Sequence, residues 1–87
     1  MSNKQGLSIG FLSKATGIPV NTIRTWEQRY GFPKSERTTG NQRIYAKEVI
    51  EQLRLISIAL NNGFRAGQIV GMDPSEIQSI VSEIQQS

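Results

Sequence analysis

Apolar residues recur at spacings of three and four along most of this 87-residue chain, and the breaks in that rhythm predict its elements. Ser8 precedes Ile9-Gly-Phe-Leu-Ser-Lys-Ala, where a serine caps a helix whose inward face is Ile9 and Leu12, with Phe11 as a further candidate. Thr16-Gly17 ends that helix, and Gly17-Ile18-Pro19 leaves room only for a tight turn. A second helix then runs from about Pro19 to Tyr30, started by proline and stopped by Gly31. Ile23, Trp26 and Tyr30 share its inward face, while Asn21, Arg24, Thr25, Gln28 and Arg29 point outward. Further on, Val49, Ile50, Leu53, Ile56 and Leu60 form a broad stripe on a helix over Ala46 to Asn61, closed by Asn62-Gly63. Phe64 to Gly71 reads as a short helical turn that packs back through Phe64, Ile69 and Val70. Asp73-Pro74-Ser75-Glu76 is a helix start, and Ile77, Ile80, Val81 and Ile84 give the last helix an apolar face that either completes the core, the reading favoured for so small a chain, or meets a partner.

One segment lacks the helical period. After Gly31-Phe32-Pro33 breaks the second helix, strands are expected near Glu36 to Thr38 and Arg43 to Tyr45, joined by a turn at Thr39-Gly40-Asn41. Lys34, Arg37 and Arg43 place three cations on this hairpin, and Asn41 and Gln42 add side-chain amides at its tip. An ordinary solvated hairpin has few reasons to gather so many donors; a wing laid over a phosphate backbone does.

Composition narrows the chemistry. The chain has no cysteine and no histidine, which removes disulfides, thiolate metal sites, the cysteine nucleophile and the commonest general base. No nucleophile–base pair stands out, so an enzyme is not expected, nor a cofactor in this chain. The start, Met-Ser-Asn-Lys, lacks the apolar run of a signal peptide, and the expectation is a cytoplasmic protein working at the bacterial nucleoid. Charge is uneven: residues 1 to 47 hold eight Lys/Arg against two acids, and residues 48 to 87 hold two against five. The basic part suits a polyanion.

Helix, short glycine turn and helix form the helix-turn-helix outline, with the second helix in the reading position. Helical hairpins of this kind also occur in proteins that never meet DNA. The match in detail is more specific. Ser8-Ile9-Gly10, Thr16-Gly17-Ile18, Thr22-Ile23-Arg24, Glu27, Pro33, Arg37, Arg43-Ile44-Tyr45, Leu53 and Gly63-Phe64 with Ile69 stand in an order that resembles the MerR family of transcription regulators. The resemblance runs from about Leu7 to Ile69. The run Arg24-Thr-Trp-Glu-Gln-Arg-Tyr-Gly31 is similar to the branch whose DNA-binding domain precedes a cobalamin-binding, often light-responsive, domain. Asn41-Gln42-Arg43 departs from the family's usual wing tip.

The resemblance implies a mainly α fold, a winged helix-turn-helix with a small β-hairpin wing and C-terminal helices: one domain with the helix-turn-helix at about 8–31, the wing at about 32–45 and supporting helices at about 46–85. It implies sequence-specific binding of double-stranded DNA, in the role of a repressor, with helix 19–30 in the major groove and wing 34–45 on the backbone or minor groove. Carried over residue by residue, Arg24 faces the groove, flanked by Asn21, Thr25 and Gln28, and Arg29 contacts a phosphate. Trp26 lies at the boundary between core and backbone. Arg37, Asn41, Gln42 and Arg43 serve the wing, and Ser8 and Lys14 contact phosphates from the first helix. Glu27 pairs with a wing arginine, Arg43 or Arg37, while Tyr30 and Tyr45 fill the seam between helix and wing. A palindromic operator is expected for a dimer, and the isolated domain is expected to be monomeric or weakly associating. Two other readings use the same basic face: binding of an acidic, DNA-mimicking antirepressor protein, and an excisionase-like architectural role on DNA.

Overall fold

The computed structural model describes residues 6–38, 40 and 42–86. Five helices and one two-stranded hairpin follow in the order α1 (Ile9–Thr16), α2 (Val20–Tyr30), β1 (Glu36–Arg37), β2 (Arg43–Ile44), α3 (Glu48–Asn61), α4 (Ala66–Ile69) and α5 (Pro74–Gln86). This is the mainly helical, winged arrangement expected from the sequence. Among the described residues, no helix is long and apolar enough to cross a membrane.

Helix α3 is the centre of the fold. It packs against α5 on one side and α1 on the other, with α4 folded back onto it, and α2 joins the assembly through α1. Its stripe goes inward as the spacing dictates: Leu53, Ile56 and Ala59 are fully buried and Val49 nearly so. Leu12 of α1, Ile23 of α2, Ile69 of α4, and Ile77 and Val81 of α5 complete the same cluster. The last helix therefore closes this core. Each such side chain contributes about 1.5–3 kcal/mol when removed from water.

The helix ends show why the elements stop where they do. The Ser8 hydroxyl accepts a hydrogen bond from the Phe11 N–H at 3.1 Å, capping α1. Gly31, with φ of +74°, ends α2 in the left-handed conformation that glycine adopts without penalty. Pro19 sits one position earlier than the first helical residue; its carbonyl accepts from the N–H groups of Thr22 and Ile23 at 3.0 and 3.1 Å. Helix α3 begins at Glu48, two residues later than the apolar pattern suggested, because Ala46 and Lys47 form a tighter turn that receives Val49 and Ile50 N–H groups.

Two placements differ from the sequence reading. Phe11, a candidate for the inward face of α1, is 50 % exposed, because Leu12 next to it takes the buried position. Tyr30, assigned to the seam with the wing, instead turns toward α4, where its hydroxyl lies 3.6 Å from the place a methyl on Gly67 would occupy. Tyr30 continues the face of Ile23 and Trp26, which is the core side of α2 and not the wing side.

The hairpin is small. Glu36 pairs with Ile44 and Arg37 with Arg43, and the Thr38 N–H donates to the Gln42 carbonyl at 2.9 Å. Each strand is two residues long, one shorter than expected. Tyr45 pairs instead with Leu7, each N–H donating to the other's carbonyl, at 2.9 and 2.8 Å. The chain before α1 thus ties the base of the wing to the body, and Gly6 lies so close to Ile44 that a methyl there would overlap the isoleucine side chain.

Candidate nucleic-acid interface

Burial sorts the two faces of α2. Ile23 and Trp26 are inside, at 0 and 5 % exposure, and Asn21, Arg24, Thr25, Gln28 and Arg29 are all exposed. Core packing on one side therefore presents five polar side chains in a row on the other. The Thr25 hydroxyl donates to the Asn21 carbonyl at 3.0 Å. Trp26 is a core residue whose ring anchors the helix.

The wing is fastened to this helix by polar groups. Glu27, one helical turn after Ile23 and on the flank facing the hairpin, accepts from Arg43 Nη1 at 3.1 Å through Oε1 and from the Tyr45 hydroxyl at 2.6 Å through Oε2. The Glu27 side chain is 12 % exposed and that of Arg43 is 51 % exposed. Of the two wing arginines proposed for this pairing, Arg43 is the one that meets Glu27. Tyr45 is 1 % exposed, and its hydroxyl is pushed up to about 12, first by burial and then by donation to the Glu27 carboxylate. Neutral and donating at every ordinary pH, it holds one carboxylate oxygen in place.

Arg24, Gln28, Lys34, Ser35 and Arg43 line a cleft of about 390 Å³ between the C-terminal half of α2 and the start of the hairpin, with Glu27 in its wall. Three cations from two elements face one opening. Lys34 and Ser35 were not among the contacts read from the sequence; Lys34 was seen only as one of three hairpin cations, and nothing in the periodicity shows that Gly31-Phe32-Pro33 folds it back against α2. A larger groove of about 820 Å³ lies between the hairpin, the start of α3 and Pro74. Its walls are mainly apolar and its charges mixed, Lys34 and Lys47 with Glu36 and Glu48, so the smaller cleft is the better seat for an anion.

At the wing, Arg37 stands directly across from Arg43 in the ladder. Like charges in opposed positions destabilise a hairpin, so this pair makes sense next to a counter-charge. Glu27 supplies one. Arg37 and Gln42 are exposed, whereas Asn41 and the residue before Gly40 lie outside the described residues. Ser8 is exposed at the N-terminus of α1, and Lys14 is exposed in its last turn. Among the described residues no group of acidic side chains is placed to hold a metal ion.

Comparison with known proteins places this geometry. Residues 7–78 match the model of the MerR HTH family regulatory proteins. The chain is 42 % identical over 52 residues to the HTH-type transcriptional repressor CarA of Myxococcus xanthus, covering 59 % of this chain and 18 % of that protein. It is 36 % identical over 76 residues to the HTH-type transcriptional regulator ZntR homolog of Haemophilus influenzae, covering 87 % and 50 %. With the mercuric resistance operon regulatory protein of Serratia marcescens it shares 30 % over 67 residues, covering 77 % and 46 %. The chain thus spans half the length of these relatives or less. The similarity to CarA supports the branch to which the Trp26-Glu27 pattern pointed. These relatives are regulators of transcription and not enzymes, and the chain belongs to the MerR family of helix-turn-helix, DNA-binding regulatory proteins.

Proposed function

We propose that the chain is the operator-reading module of a repressor, with α2 in the major groove and the β1–β2 wing on the adjacent backbone or minor groove. The observation that carries this reading is the convergence of Arg24, Lys34 and Arg43 on one cleft beside a row of exposed polar side chains. Arg24 reads a base edge, where a bidentate contact to guanine discriminates by about 1–3 kcal/mol. Asn21, Thr25 and Gln28 flank it on bases or phosphates. A backbone phosphate enters the cleft between Lys34 and Arg43. Arg29, Arg37, Gln42, Ser8 and Lys14 contact neighbouring phosphates. Repression is favoured by the similarity to CarA, a repressor by name. One such module covers a half-site, so a palindromic operator serves a dimer. The isolated chain sediments as a monomer at micromolar concentration in this reading.

The test begins with a duplex selected from a random pool by the wild-type chain. Arg24→Ala and Arg43→Ala each bind that duplex more weakly, by roughly fivefold to 150-fold for Arg24; both remain folded, Arg24→Ala melting near wild type because its side chain is exposed and Arg43→Ala somewhat lower for the lost bond to Glu27. Wild-type binding should also fall steeply with salt. A chain that selects no sequence and binds no duplex at low salt would sink the proposal, and the same basic face would then suit an acidic antirepressor protein that mimics DNA. Bending at tandem sites would instead indicate an architectural, excisionase-like role.

A further inference from the structure

Glu27 is an acid in the wall of a cleft that otherwise gathers cations, and its structural duty does not require a charge. Tyr45 needs only an acceptor, which an amide oxygen would provide. What the carboxylate adds is an electrostatic hold on Arg43, at 3.1 Å through a single nitrogen. The guanidinium is half exposed and keeps other N–H donors available, whereas Glu27 is almost covered. Arg43 is the more exposed partner, and Glu27, bonded also to Tyr45, the more covered one.

Resting on the reading of α2 and the wing as a DNA-binding surface, we infer that Glu27 is a specificity-determining residue that withholds Arg43 from DNA until a phosphate is seated in the α2–wing cleft. On arbitrary DNA, phosphates pass the wing at many positions, and an arginine already paired with a carboxylate gains little by moving to one of them. When α2 settles on a matching sequence through Arg24, a phosphate is brought into the cleft between Lys34 and Arg43. The guanidinium then exchanges one anion for another at short range. Release is feasible because Glu27 is not abandoned: the Tyr45 hydroxyl, 2.6 Å away, continues to donate to it. A nearly buried carboxylate with no partner would make the exchange far more costly. The pair therefore lowers affinity for non-cognate DNA more than affinity for the cognate site, and it is the ratio of the two that governs occupancy among competing sites.

Glu27→Gln keeps the shape and the acceptor for Tyr45 and removes the hold on Arg43. Fluorescence anisotropy with a random-sequence duplex, and with the duplex selected by the wild-type chain, reads the consequence. The variant should bind the random duplex more tightly. One additional phosphate contact should make that binding fall by about a further 3.5-fold between roughly 50 and 200 mM salt. Affinity for the selected duplex should change less, so the ratio between the two duplexes drops. In an Arg43→Gln background the gain from Glu27→Gln should shrink, because there is no arginine to release; an equal gain in both backgrounds would mean simple loss of a negative charge and would overturn the inference. Thermal melting of each variant reports folding. Arg43→Gln alone gives a second reading that does not depend on Glu27→Gln folding: it should weaken the selected duplex by about tenfold or more and the random duplex by less than about threefold. Equal losses on both would overturn the inference while leaving DNA binding intact, whereas failure of the DNA-binding reading itself would show as no selection and no binding by the wild-type chain.

Discussion

Helix α2 and the wing do neighbouring work on the same surface, yet they are held by opposite means. α2 is positioned by burial: Ile23 and Trp26 enter a continuous apolar cluster that reaches Leu53 and Ile56 of α3. Beyond Pro33 and the ring of Tyr45, which are buried at its two ends, the wing buries little, with β1 exposed and β2 at best half-buried. It is positioned by the Leu7–Tyr45 backbone pair and by two hydrogen bonds to a single carboxylate. Burial is non-directional and tolerates adjustment of the side chains that share it. A carboxylate held at 2.6 and 3.1 Å sets a direction as well as a distance. Helix α2 is thus fixed with the body of the domain, and the element beside it is set at an angle that local changes can alter.

The largest effect should come from breaking the first kind of support. Leu53 is fully buried at the centre of α3. Leu53→Ala should destabilise the whole domain by about 2–5 kcal/mol, through lost burial and the cavity left behind. A denaturant titration monitored by circular dichroism checks it. DNA binding measured below the melting temperature should then change little, since no group on the interface is touched. If binding fell while the variant remained folded, the apolar cluster would not absorb the lost side chain without moving α2.

The second kind of support should yield a smaller loss of stability and a distinctive pH profile. Tyr45→Phe keeps the buried ring and deletes the hydroxyl that donates to Glu27, which should destabilise the domain by about 1–3 kcal/mol at neutral pH. The hydroxyl's folded value is pushed up to about 12, above the ordinary value of 10.0. A group raised on folding stabilises fully below its unfolded value and loses that contribution as pH climbs through the folded one. The stability advantage of wild type over Tyr45→Phe should therefore be constant below about pH 10 and shrink between about pH 10 and 12. An advantage unchanged across that window would mean that the hydroxyl is neither buried nor bonded to Glu27 in solution.

The same contrast explains what could be read without a structure. The core was legible because one period governs it: the residues expected inward on α2, α3 and α5 are the ones that are buried or half-buried, and the caps at Ser8, Gly17 and Gly31 mark the helix ends. The wing seam was legible only in part. Glu27 and Arg43 are sixteen residues apart, and no local period connects them; what suggested the pairing was an acid in a basic surface together with the family resemblance. The Leu7–Tyr45 pair, which carries the N-terminal segment to the wing, left no signal in hydropathy because it is made by backbone groups. Lys34 entered the cleft for a similar reason, since the fold of Gly31-Phe32-Pro33 and not the lysine's own neighbours decides where it points. Phe11 shows the limit on the helical side: spacing ranked Leu12 first for the interior but did not exclude its neighbour, which is exposed.

The smallest effect belongs to the entrance of α1, where support and proposed contact meet in one side chain. The Ser8 hydroxyl accepts from the Phe11 N–H and is exposed, so it can cap the helix and still donate its own hydrogen to a phosphate. Ser8→Ala removes both functions and should destabilise the domain by about 1 kcal/mol. Ser8→Asp separates them. Aspartate caps as well as serine and complements the positive end of the helix dipole, so its melting temperature should match or exceed that of wild type. It offers no hydrogen to an anion and adds a negative charge where a phosphate is proposed to sit. Ser8→Asp should accordingly be the more stable of the two variants and the weaker binder of the selected duplex, with the difference fading at high salt. Equal binding by both would place the N-terminus of α1 away from the backbone and confine the interface to α2 and the wing.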